Sequence, residues 1–437
     1  MFEGKNVLVC GMARSGQAAA LVLRQLGAFV TASDLRTEIE WDYDPAEKGI
    51  SLRLGEEPDD FVLDFDIVVI SPGISMYATF IKMAQNAGKP VWSEAELAYR
   101  LCPCPMIAIT GTNGKTTVTT LVGEILRRFN PKTVIAGNIG VPLTSLVTGL
   151  DEDSIVVAEI SSFQLETISA FRPKISAVLN MTEDHLDRHL TMENYIAAKS
   201  RIFENQGQND ICVLNLDNAI TRSMRPSAKT VFFSTKENAD ATIQNGALTA
   251  FGQKNILMSE TRVMPENALA ATAIAMAAGV PGEIIADVLR EFKGVPHRCE
   301  HILTSGGVDF YNDSKATNTD AAIKALENFE RPVVLIAGGY DKNTDFLPWV
   351  EKFRGRVKNL ILIGQTTEKI IADCQRVGFS SYEKADTLEG AVSRARELAV
   401  LDDIVLFSPA CASFDMFKNF EERGELFVKF VGKGVDN

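Results

Sequence analysis

A short glycine loop between an apolar strand and an amphipathic helix constrains the fold of this chain most strongly. Residues 106–110 are apolar and predict a buried strand, and the loop after them reads Gly111-Thr112-Asn113-Gly114-Lys115-Thr116-Thr117. Its glycines allow backbone N–H groups to point inward at phosphate oxygens, and the following helix directs its positive end to the same place. Lys115 is then placed to reach the β- and γ-phosphates, and Thr116 to offer a hydroxyl to Mg²⁺.

The loop is a shorter relative of the G-x-x-x-x-G-K-[ST] pattern, because Ile109 stands where its first glycine would fall. An ordinary glycine-rich turn is the alternative. The helix after the loop is well patterned, however, with one apolar face made of Val118, Leu121, Val122, Ile125, Leu126 and Phe129. Strand, loop, Lys-Thr pair and helix coincide, and this favours binding of a nucleotide triphosphate.

The rest of the chain alternates apolar runs with helical patterns in three successive segments. The predicted strands are 6–10, 29–33 and 65–70, then 106–110, 155–160, 175–180 and 211–215, then 308–311, 333–337, 360–363 and 404–407. A helix face is predicted at Ala19, Val22, Leu23 and Leu26, and an alanine-rich helix at 267–278. Residues 217–264 are polar and turn-rich and are left unassigned.

Such alternation implies parallel sheets with helices on both faces. At roughly 150 residues per domain, 437 residues suggest about three domains. We therefore predict an α/β protein with a Rossmann-like N-terminal domain over 1–101, a central P-loop ATPase-like parallel-sheet domain over 102–297, and a C-terminal Rossmann-like domain over 298–437.

Charge and composition exclude several classes of function. The net charge is −13 and no basic run stands out, so a nucleic-acid partner is not expected. No apolar run approaches the ~20 residues of a membrane helix, and the N-terminus lacks the apolar stretch of a signal peptide. Seven scattered cysteines without a C-x-x-C pair indicate free thiols in a reducing compartment. We expect a cytoplasmic monomer without membrane insertion.

The first segment contains a second, weaker glycine motif. The run from Gly11 to Gly16 resembles a dinucleotide-binding fingerprint whose middle glycine is replaced by Ala13. Asp34 lies near the distance at which an acid can bind a ribose. A βα turn without a ligand is the alternative. An oxidoreductase is the weakest interpretation, because no hydride-transfer site is visible.

Ionisable residues also follow two strands of the second segment. Residues 182–189 are dense in such groups, and His185 and His189 at i, i+4 could bind Zn²⁺, but Leu186 replaces the Glu of H-E-x-x-H. A hard Mg²⁺–phosphate site, with His as one contributor, is the better interpretation; a solvated turn is the alternative. Glu159 ends another strand and could share a metal with the Lys115 loop; a purely structural role is the alternative.

In the third segment, polar loops at 313–318, 338–342 and 408–413 each follow a strand. Because the carboxyl ends of parallel strands share one edge, these loops should converge on one ligand. His297 and His301 also have i, i+4 spacing, but further zinc ligands are not evident nearby. A turn centred on Arg298 and facing an anion is preferred.

Together these runs resemble the Mur ligases, ATP-dependent amide-bond-forming enzymes of peptidoglycan precursor synthesis. The matching runs, in order, are 110–117, 137–140, 159–164, 180–185, 296–298 and 313–318. The runs 408–415, 417–424 and Ser71-Pro72-Gly73-Ile74 resemble the member of the family that adds D-glutamate.

The resemblance implies a reaction and its cofactors. ATP would phosphorylate the carboxylate of UDP-N-acetylmuramoyl-L-alanine, and the amine of D-glutamate would attack the acyl phosphate. The implied catalytic residues are Lys115, Glu159, His185 and Lys199. Two Mg²⁺ sites are expected, with Thr116 at the first and Glu159 and His185 at the second. Lys199 matches the lysine that the family carbamylates, and a carbamate would supply oxygen to Mg²⁺. Without the resemblance, a lysine on the surface of a helix would be the favoured interpretation of this position.

The resemblance also implies three sets of binding residues. The ATP set is Gly111, Thr112, Asn113, Gly114, Lys115, Thr116, Thr117, Asn267, Arg298, Asp313 and Lys315. The UDP-substrate set is Arg14, Ser15, Gly16, Asp34, Leu35, Arg36, Ser71, Pro72, Gly73 and Asn138. The D-glutamate set is Thr317, Lys342, Ser413, Phe414 and Phe420, with Lys342 the main charge partner. Because these sets lie on separate segments, we expect domain closure during turnover.

One departure concerns the adenine end of the ATP site. The family usually has a Gly-x-His-Asn-x-x-Asn run before the alanine-rich helix; here Val263 and Met264 replace the His and first Asn, and only Asn267 remains. Other candidates are another Mur enzyme or folylpolyglutamate synthase, and a P-loop kinase or ATPase. The Asp-Asn-Pro-Arg run of the diaminopimelate-adding member does not occur in the chain.

Overall fold

Three sheets, each largely parallel, organise the chain. A computed structural model describes residues 1–261, 263–342 and 344–433. They fall into two units, Met1–Phe292 with two of the sheets and Lys293–Asn437 with the third. The predicted α/β class with three sheet-forming segments is confirmed, and the domain boundaries at 101 and 297 stay a prediction.

The first sheet is parallel throughout, with the strand order β3-β2-β1-β4-β5. Its elements are β1 (Asn6–Cys10), α1 (Arg14–Gln25), β2 (Phe29–Asp34), β3 (Ser51–Leu54), β4 (Ile67–Ile70), α2 (Thr79–Asn86), β5 (Val91–Ser93) and α3 (Glu94–Leu101). The strand order reverses between β1 and β4, and ligands of such sheets bind in the crevice at this point.

The second sheet has the order β14-β13-β12-β11-β10-β9-β6-β8-β7. Its first elements are β6 (Met106–Thr110), α4 (Lys115–Phe129), β7 (Thr133–Gly137), α5 (Leu143–Val147), β8 (Ile155–Glu159), α6 (Ser162–Leu165), β9 (Ile175–Val178), α7 (Leu186–His189) and α8 (Met192–Ser200). They are followed by β10 (Ile211–Asn215), α9 (Ala219–Ser223), β11 (Lys229–Ser234), β12 (Ala241–Gln244), β13 (Ala247–Ala250), β14 (Gln253–Leu257), α10 (Pro265–Ala277) and α11 (Gly282–Glu291). The stretch left unassigned from sequence thus extends the sheet, and β12, β13 and β14 pair antiparallel.

The third sheet has the order β15-β16-β20-β17-β18-β19, with only the β15–β16 pair antiparallel within it. Its elements are β15 (Glu300–Ser305), β16 (Val308–Asn312), α12 (Thr319–Glu327), β17 (Val333–Ala337), α13 (Leu347–Val350), β18 (Val357–Leu362), α14 (Thr367–Arg376), β19 (Tyr382–Lys384), α15 (Leu388–Leu398), β20 (Ile404–Phe407) and α16 (Phe420–Gly432).

The helix after the glycine loop packs as its apolar spacing predicts, except at its last residue. Val118, Leu121, Ile125 and their predicted neighbours on that face are buried, whereas Phe129 is 44% exposed. Leu26, which caps α1, is likewise 36% exposed. The apolar spacing that places these two residues on helix faces does not show their exposure, which arises because both stand at helix ends, where the apolar face leaves the core.

Helix α3 leads from the first sheet to the second through a buried carboxylate. Ser93 caps the helix by accepting a hydrogen bond from the N–H of Glu96. The Glu96 carboxylate in turn accepts hydrogen bonds from the N–H groups of Ser169, Ala170 and Phe171, and from Arg100 at 2.7 Å. Charge-assisted hydrogen bonds of this kind are about twice as strong as neutral ones, so they hold the two segments together.

Among the helices described, none has the length and apolar character needed to cross a bilayer.

Candidate active site

The glycine loop curls around its own lysine. Gly111 and Gly114 have positive φ angles of 152° and 81°, which glycine adopts without strain, and Gly114 caps helix α4. The Lys115 ammonium donates to the carbonyl oxygens of Gly111 at 2.9 Å and Thr112 at 2.8 Å. A cation and the N-terminus of a 15-residue helix therefore meet at one point, as binding of a phosphate requires.

The segment after β9 holds this loop in place. Asn180 accepts the N–H of Thr112 on its carbonyl at 3.0 Å and the N–H of Asn113 on its side chain at 2.8 Å. The Thr112 hydroxyl lies 3.2 Å from the Tyr195 hydroxyl and accepts the N–H of Thr182 at 3.1 Å. Sequence reasoning gave Tyr195 no role, since a tyrosine within a helix carries no signal of its own.

Glu159 presents an unusual carboxylate at the end of β8. The residue is only 2% exposed, and its Oε1 accepts a hydrogen bond from the Asn138 side chain at 2.9 Å. Its Oε2 is buried without a hydrogen-bond partner among the described residues. Burying an unsatisfied carboxylate oxygen is costly, and a bound cation relieves that cost. Asn138, predicted to contact substrate, thus also orients Glu159.

Lys199 lies buried beneath the glycine loop, 2% exposed. Its ammonium donates to the carbonyl oxygen of Gly111 at 2.9 Å and the hydroxyl of Thr110 at 3.3 Å, and lies 4.9 Å from the centre of the Tyr195 ring. Burial, and then the neighbouring charge of Lys115, hold the pKa of Lys199 well below its usual range. A surface lysine, the ordinary interpretation of this sequence position, is excluded.

His185 and His189 occupy different environments. His185 has a left-handed backbone, with φ +54°, and its ring lies 4.9 Å from that of Phe163. His189 is buried, with Nε2 3.0 Å from the Ser162 hydroxyl and Nδ1 3.5 Å from the Glu166 carboxylate, and burial lowers its pKa.

Zinc coordination by this histidine pair is not supported, because both ring nitrogens of His189 already face protein partners. In the described ranges, His, Cys, Asp and Glu form no group of three or more that could hold a metal. His297 and His301 likewise have different partners. Nδ1 of His297 lies 2.9 Å from the Asn312 side-chain amide, and Nε2 of His301 lies 3.3 Å from the Asp309 carboxylate.

In the first sheet, the loops after β1 and β4 meet at the switch point. The Ser71 hydroxyl donates to the Gly11 carbonyl at 2.6 Å and lies 3.5 Å from the Ser15 hydroxyl. A Cβ at Gly16 would collide with the Gly11 carbonyl oxygen, so this position requires glycine. This close packing explains why glycine stands at position 16 of the Gly11–Gly16 motif.

Asp34 joins the same loop from the end of β2. It accepts the N–H of Met12 at 2.7 Å and the backbone N–H and Nε of Arg36 at 3.0 Å each. The hydrogen bond from the Arg36 side chain is the main reason that the pKa of Asp34 falls to about 2. Arg14, Leu35 and Arg36 are exposed.

In the third sheet, the three polar loops converge as predicted. The N–H of Gly338 donates to the Pro409 carbonyl and that of Tyr340 to the Ala412 carbonyl, both at 2.9 Å. The Ser408 hydroxyl donates to Asp313 at 2.7 Å. A fourth loop was missed: Thr366, after β18, accepts the N–H of Gly339 at 3.1 Å.

A buried arginine that received no role from the sequence binds these loops together. Arg423 is fully buried and donates to the Ala412 carbonyl at 3.1 Å and to the hydroxyl and carbonyl of Ser314 at 3.1 and 2.7 Å. Burial lowers its pKa to about 10. It lies in a run that matched the family pattern, but spacing alone did not show that its side chain points inward.

The residues predicted to bind D-glutamate lie around this framework. Ser413 is buried, Phe414 is 64% exposed and packs edge-on against Tyr340, and the Phe420 carbonyl accepts the Ser314 hydroxyl at 2.8 Å. Thr317 is half-buried after β16, and Lys342 is exposed after β17.

The predicted ATP residues of this unit form a neighbouring group. The Asp313 carboxylate accepts the N–H of Cys299 at 3.2 Å, next to Arg298, and the Lys315 N–H donates to the His297 carbonyl at 3.1 Å. The Lys315 ammonium lies 5.1 Å from the centre of the Phe420 ring.

Asn267, which the resemblance places in the ATP set, lies at the start of α10 and reaches the glycine loop. A Cβ at Gly114 would lie 2.7 Å from its Oδ1. Val263 is buried, and Met264 is 46% exposed. The two residues that depart from the family pattern therefore face different surroundings, and the retained asparagine stands against the phosphate loop.

A phosphate-binding loop in the middle sheet, a nucleotide-type crevice in the first and a polar loop cluster in the third define a nucleotide-dependent enzyme. The chain matches the Mur ligase MurD-like N-terminal domain over 5–93, the Mur ligase middle domain over 109–276 and the Mur ligase glutamate ligase domain over 297–411. The chain belongs to the Mur ligase family.

Its relatives include proteins named UDP-N-acetylmuramoylalanine–D-glutamate ligase. The one from Caldicellulosiruptor bescii is 45% identical, covering 99% of this chain and 98% of its own, and that from Caldanaerobacter subterraneus subsp. tengcongensis is 45% identical over 98% of each. The Clostridioides difficile relative is 43% identical over 97% of this chain and 98% of its own.

Solved structures of lower identity share the fold. MurF from Thermotoga maritima, in complex with ADP, has a TM-score of 0.62 at 17% identity, covering all of this chain and 96% of its own. MurC from the same organism has a TM-score of 0.61 at 18% identity, covering 98% and 99%.

The buried Asp313 generates a prediction about pH. Burial raises the pKa of its carboxyl from 3.8 to about 7, although the hydrogen bond from Ser408 and the charge of Arg298 act in the opposite direction. The folded state keeps this proton where the unfolded chain has lost it, so stability falls as pH rises from about 4 to about 7 and then levels off. The slope is at most about 1.4 kcal/mol per pH unit.

We expect Asp313→Asn to lose this contribution to the pH dependence. Its free energy of unfolding, measured by urea unfolding, should lack the fall between about pH 5 and pH 8 that Asp313 causes in the wild-type protein. The matched control is Asp309→Asn in strand β16, which directly precedes Asp313. Burial of Asp309 favours the neutral form, but hydrogen bonds from Thr304 and Arg331 outweigh it and lower the pKa, so Asp309 stays ionised throughout. An unchanged pH dependence in Asp313→Asn would contradict the assignment.

Proposed function

We propose that this protein is an ATP-dependent ligase that joins D-glutamate to UDP-N-acetylmuramoyl-L-alanine in peptidoglycan precursor synthesis, with ADP and phosphate as products. The observation that carries the proposal is 45% identity over 99% of the chain to a relative named for that reaction. The geometry supports it, because Lys115, Glu159 and Lys199 lie together at one edge of the second sheet.

The chemistry begins with a carboxylate, which is a poor acyl donor until one oxygen becomes part of a good leaving group. Transfer of the γ-phosphoryl group of ATP to the alanyl carboxylate gives an acyl phosphate and ADP. The D-glutamate amine then attacks the acyl carbon, the C–O bond to phosphate breaks, and the amine proton passes to solvent. Lys115, at the helix N-terminus, neutralises charge on the transferred group, and positioning supplies most of the remaining catalysis.

The residues around the loop fit Mg²⁺ as a cofactor. The unpartnered Oε2 of Glu159 is a ready oxygen ligand, and His185 and a modified Lys199 would join it, while the Thr116 hydroxyl would serve a separate ion. When bound, Mg²⁺ would neutralise phosphate charge. We assign Thr116 to a first site and Glu159, His185 and Lys199 to a second.

Carbamylation of Lys199 fits its surroundings. The Lys199 ammonium would first lose a proton to solvent, and the neutral amine would then form a bond to the carbon of CO₂ and release a second proton, so that the product is an anionic carbamate. The ammonium is fully buried against the neutral oxygens of Gly111 and Thr110, below a loop meant to hold a metal and phosphate. Replacing a cation there by two oxygen ligands suits Mg²⁺ better.

We predict a carbamate signal in the carbon-13 NMR spectrum of the protein equilibrated with carbon-13 bicarbonate. Lys199→Arg retains a cation that does not form this carbamate, so its spectrum should lack the signal. Identical spectra for the two proteins would exclude the modification.

The other binding residues divide among the three segments. We assign the UDP end to 1–101, through Arg14, Ser15, Gly16, Asp34–Arg36 and Ser71–Gly73, with Asn138 from the next segment. We assign ATP binding to residues 102–297, and the segment 298–437 would contribute Arg298, Asp313 and Lys315. That last segment would bind D-glutamate through Thr317, Lys342, Ser413, Phe414 and Phe420. Monomeric state and cytoplasmic location remain predictions.

Phosphate release with a panel of amino acids tests the proposal. Release should require ATP, UDP-N-acetylmuramoyl-L-alanine and D-glutamate together. Release without either substrate would instead indicate an ATPase. Release with L-alanine or a diamino acid in place of D-glutamate would shift the identity to another member of the family.

Lys115→Ala should abolish ligation while leaving the fold intact. The variant removes the cation that neutralises the transferred phosphoryl group, and we expect kcat to fall by about 10³ or more. Phosphate release measures the rate, and circular dichroism measures the fold. The matched control is Lys132→Ala, which removes an exposed lysine from the same segment and should behave as wild type. Retained turnover in Lys115→Ala would remove the ATP role of this loop.

Lys342→Ala should raise the KM for D-glutamate by about tenfold or more, because a hydrogen bond to a charged group is worth about 1.5–3 kcal/mol. The KM for ATP should change little. Lys352→Ala, an exposed lysine of the same unit, serves as the control. Equal effects of Lys342→Ala on the two KM values would contradict its assignment to the amino acid.

A further inference from the structure

Arg188, in the short helix α7 of the second sheet, reaches across to the first sheet. Its Nη1 donates to the Gly73 carbonyl at 3.3 Å and its Nη2 to the Ile74 carbonyl at 2.6 Å. Both carbonyls belong to the loop after β4, beside the Ser71–Gly11 contact at the switch point. One side chain therefore binds the backbone of the loop assigned to the UDP substrate.

The guanidinium is itself held rigidly on the second sheet. Its Nη2 lies 2.6 Å from the Glu166 carboxylate, and the side chains of Arg188 and Glu166 are only 12% and 15% exposed. Its Cζ stacks 4.5 Å above the centre of the Phe163 ring. A planar guanidinium satisfies a carboxylate, two carbonyls and an aromatic face at once, which a lysine ammonium does not.

The same groups that hold Arg188 also hold the histidines of the catalytic region. The Phe163 ring that carries Arg188 lies 4.9 Å from the ring of His185. The second oxygen of Glu166 lies 3.5 Å from Nδ1 of His189, whose ring packs 5.3 Å from that of Tyr195. Tyr195 in turn contacts Thr112 of the glycine loop. An unbroken series of contacts thus joins the loop after β4 to the phosphate loop.

We propose that Arg188 is a positioning residue that sets where the UDP substrate, bound on the first sheet, delivers its carboxylate relative to Lys115 and His185. The inference rests on the proposed function. Arg188 acts through the loop carbonyls and through Phe163, not by contact with the reacting atoms. Misplacement of a reacting group by about 1 Å costs up to about 10²-fold in rate, so a loose loop lowers turnover.

Arg201 provides a matched control on the same segment. It donates to the backbone carbonyls of Leu165, Glu166 and Ile168 at 3.0, 2.5 and 2.6 Å, and its side chain pairs with Glu204 at 2.9 Å. It resembles Arg188 in chemistry, with an ion pair and backbone carbonyl acceptors, but these acceptors and Glu204 all lie in the segment that forms the second sheet, and none lies in the loop after β4.

The experiment compares Arg188→Lys, Glu166→Gln and Arg201→Lys with wild type in steady-state phosphate release. Arg188→Lys keeps the charge beside Glu166 but loses the bridge, and Glu166→Gln removes the support of the bridge. We expect both to raise the KM for UDP-N-acetylmuramoyl-L-alanine and lower kcat, reducing kcat/KM about tenfold or more. The KM values for ATP and D-glutamate should stay within about twofold, and Arg201→Lys should match wild type.

A general loss of structure gives a different pattern, since it weakens the binding of all three substrates together and lowers the midpoint temperature of thermal unfolding. That pattern, or kinetics of Arg188→Lys and Glu166→Gln indistinguishable from wild type, overturns the inference. Failure of the proposed function is seen separately, because the wild-type protein would then not release phosphate with these three substrates.

Discussion

The parallel pairing of β6 with β8 on one side and β9 on the other is the constraint on which the candidate site depends. It places the ends of all three strands at one edge of the sheet. The glycine loop after β6, Glu159 at the end of β8 and Asn180 after β9 consequently become neighbours, although up to 70 residues separate them in the chain. A phosphate loop alone would bind a nucleotide. The adjoining strand ends add a buried carboxylate and, through α8, a buried lysine.

Burial gives these groups properties that they would lack on a surface. The Lys199 side chain is shielded from water and contacts two neutral oxygens and an aromatic ring, and this burial lowers the pKa of its amine. Glu159 keeps one oxygen for a partner that the described residues do not supply. A low-dielectric setting strengthens every charge interaction and makes each unsatisfied one costly. The same reasoning applies to Asp313 and Arg423 beside the third sheet, where burial favours the neutral form of each group and shifts its pKa accordingly.

Motifs in the sequence were sufficient to predict the α/β class, the three sheet-forming segments and most strands, because parallel strands buried on both faces are recognisable as apolar runs. They did not predict β3, β5, β7, β15 and β19, or β11–β14 in the stretch left unassigned, because many of these strands are short or only partly buried and lack that signal. The exposure of the ends of α1 and α4 was also not predicted, because periodicity identifies a helix face but not where the core stops.

The sequence by itself determined which chemical groups are available: a Lys-Thr pair in a glycine loop, carboxylates and histidines after strands, and a buried-strand pattern that places them at strand ends. Only the tertiary structure decided how each group is used. It assigned His189 to Ser162 and Glu166 and left Glu159 an open oxygen. It also brought Arg188 into contact with a loop of the first sheet and buried Arg423 against the loops of the third. The physical reason is that pairing partners, burial and charge arise from contacts between residues distant in the chain, and spacing along the chain does not encode them.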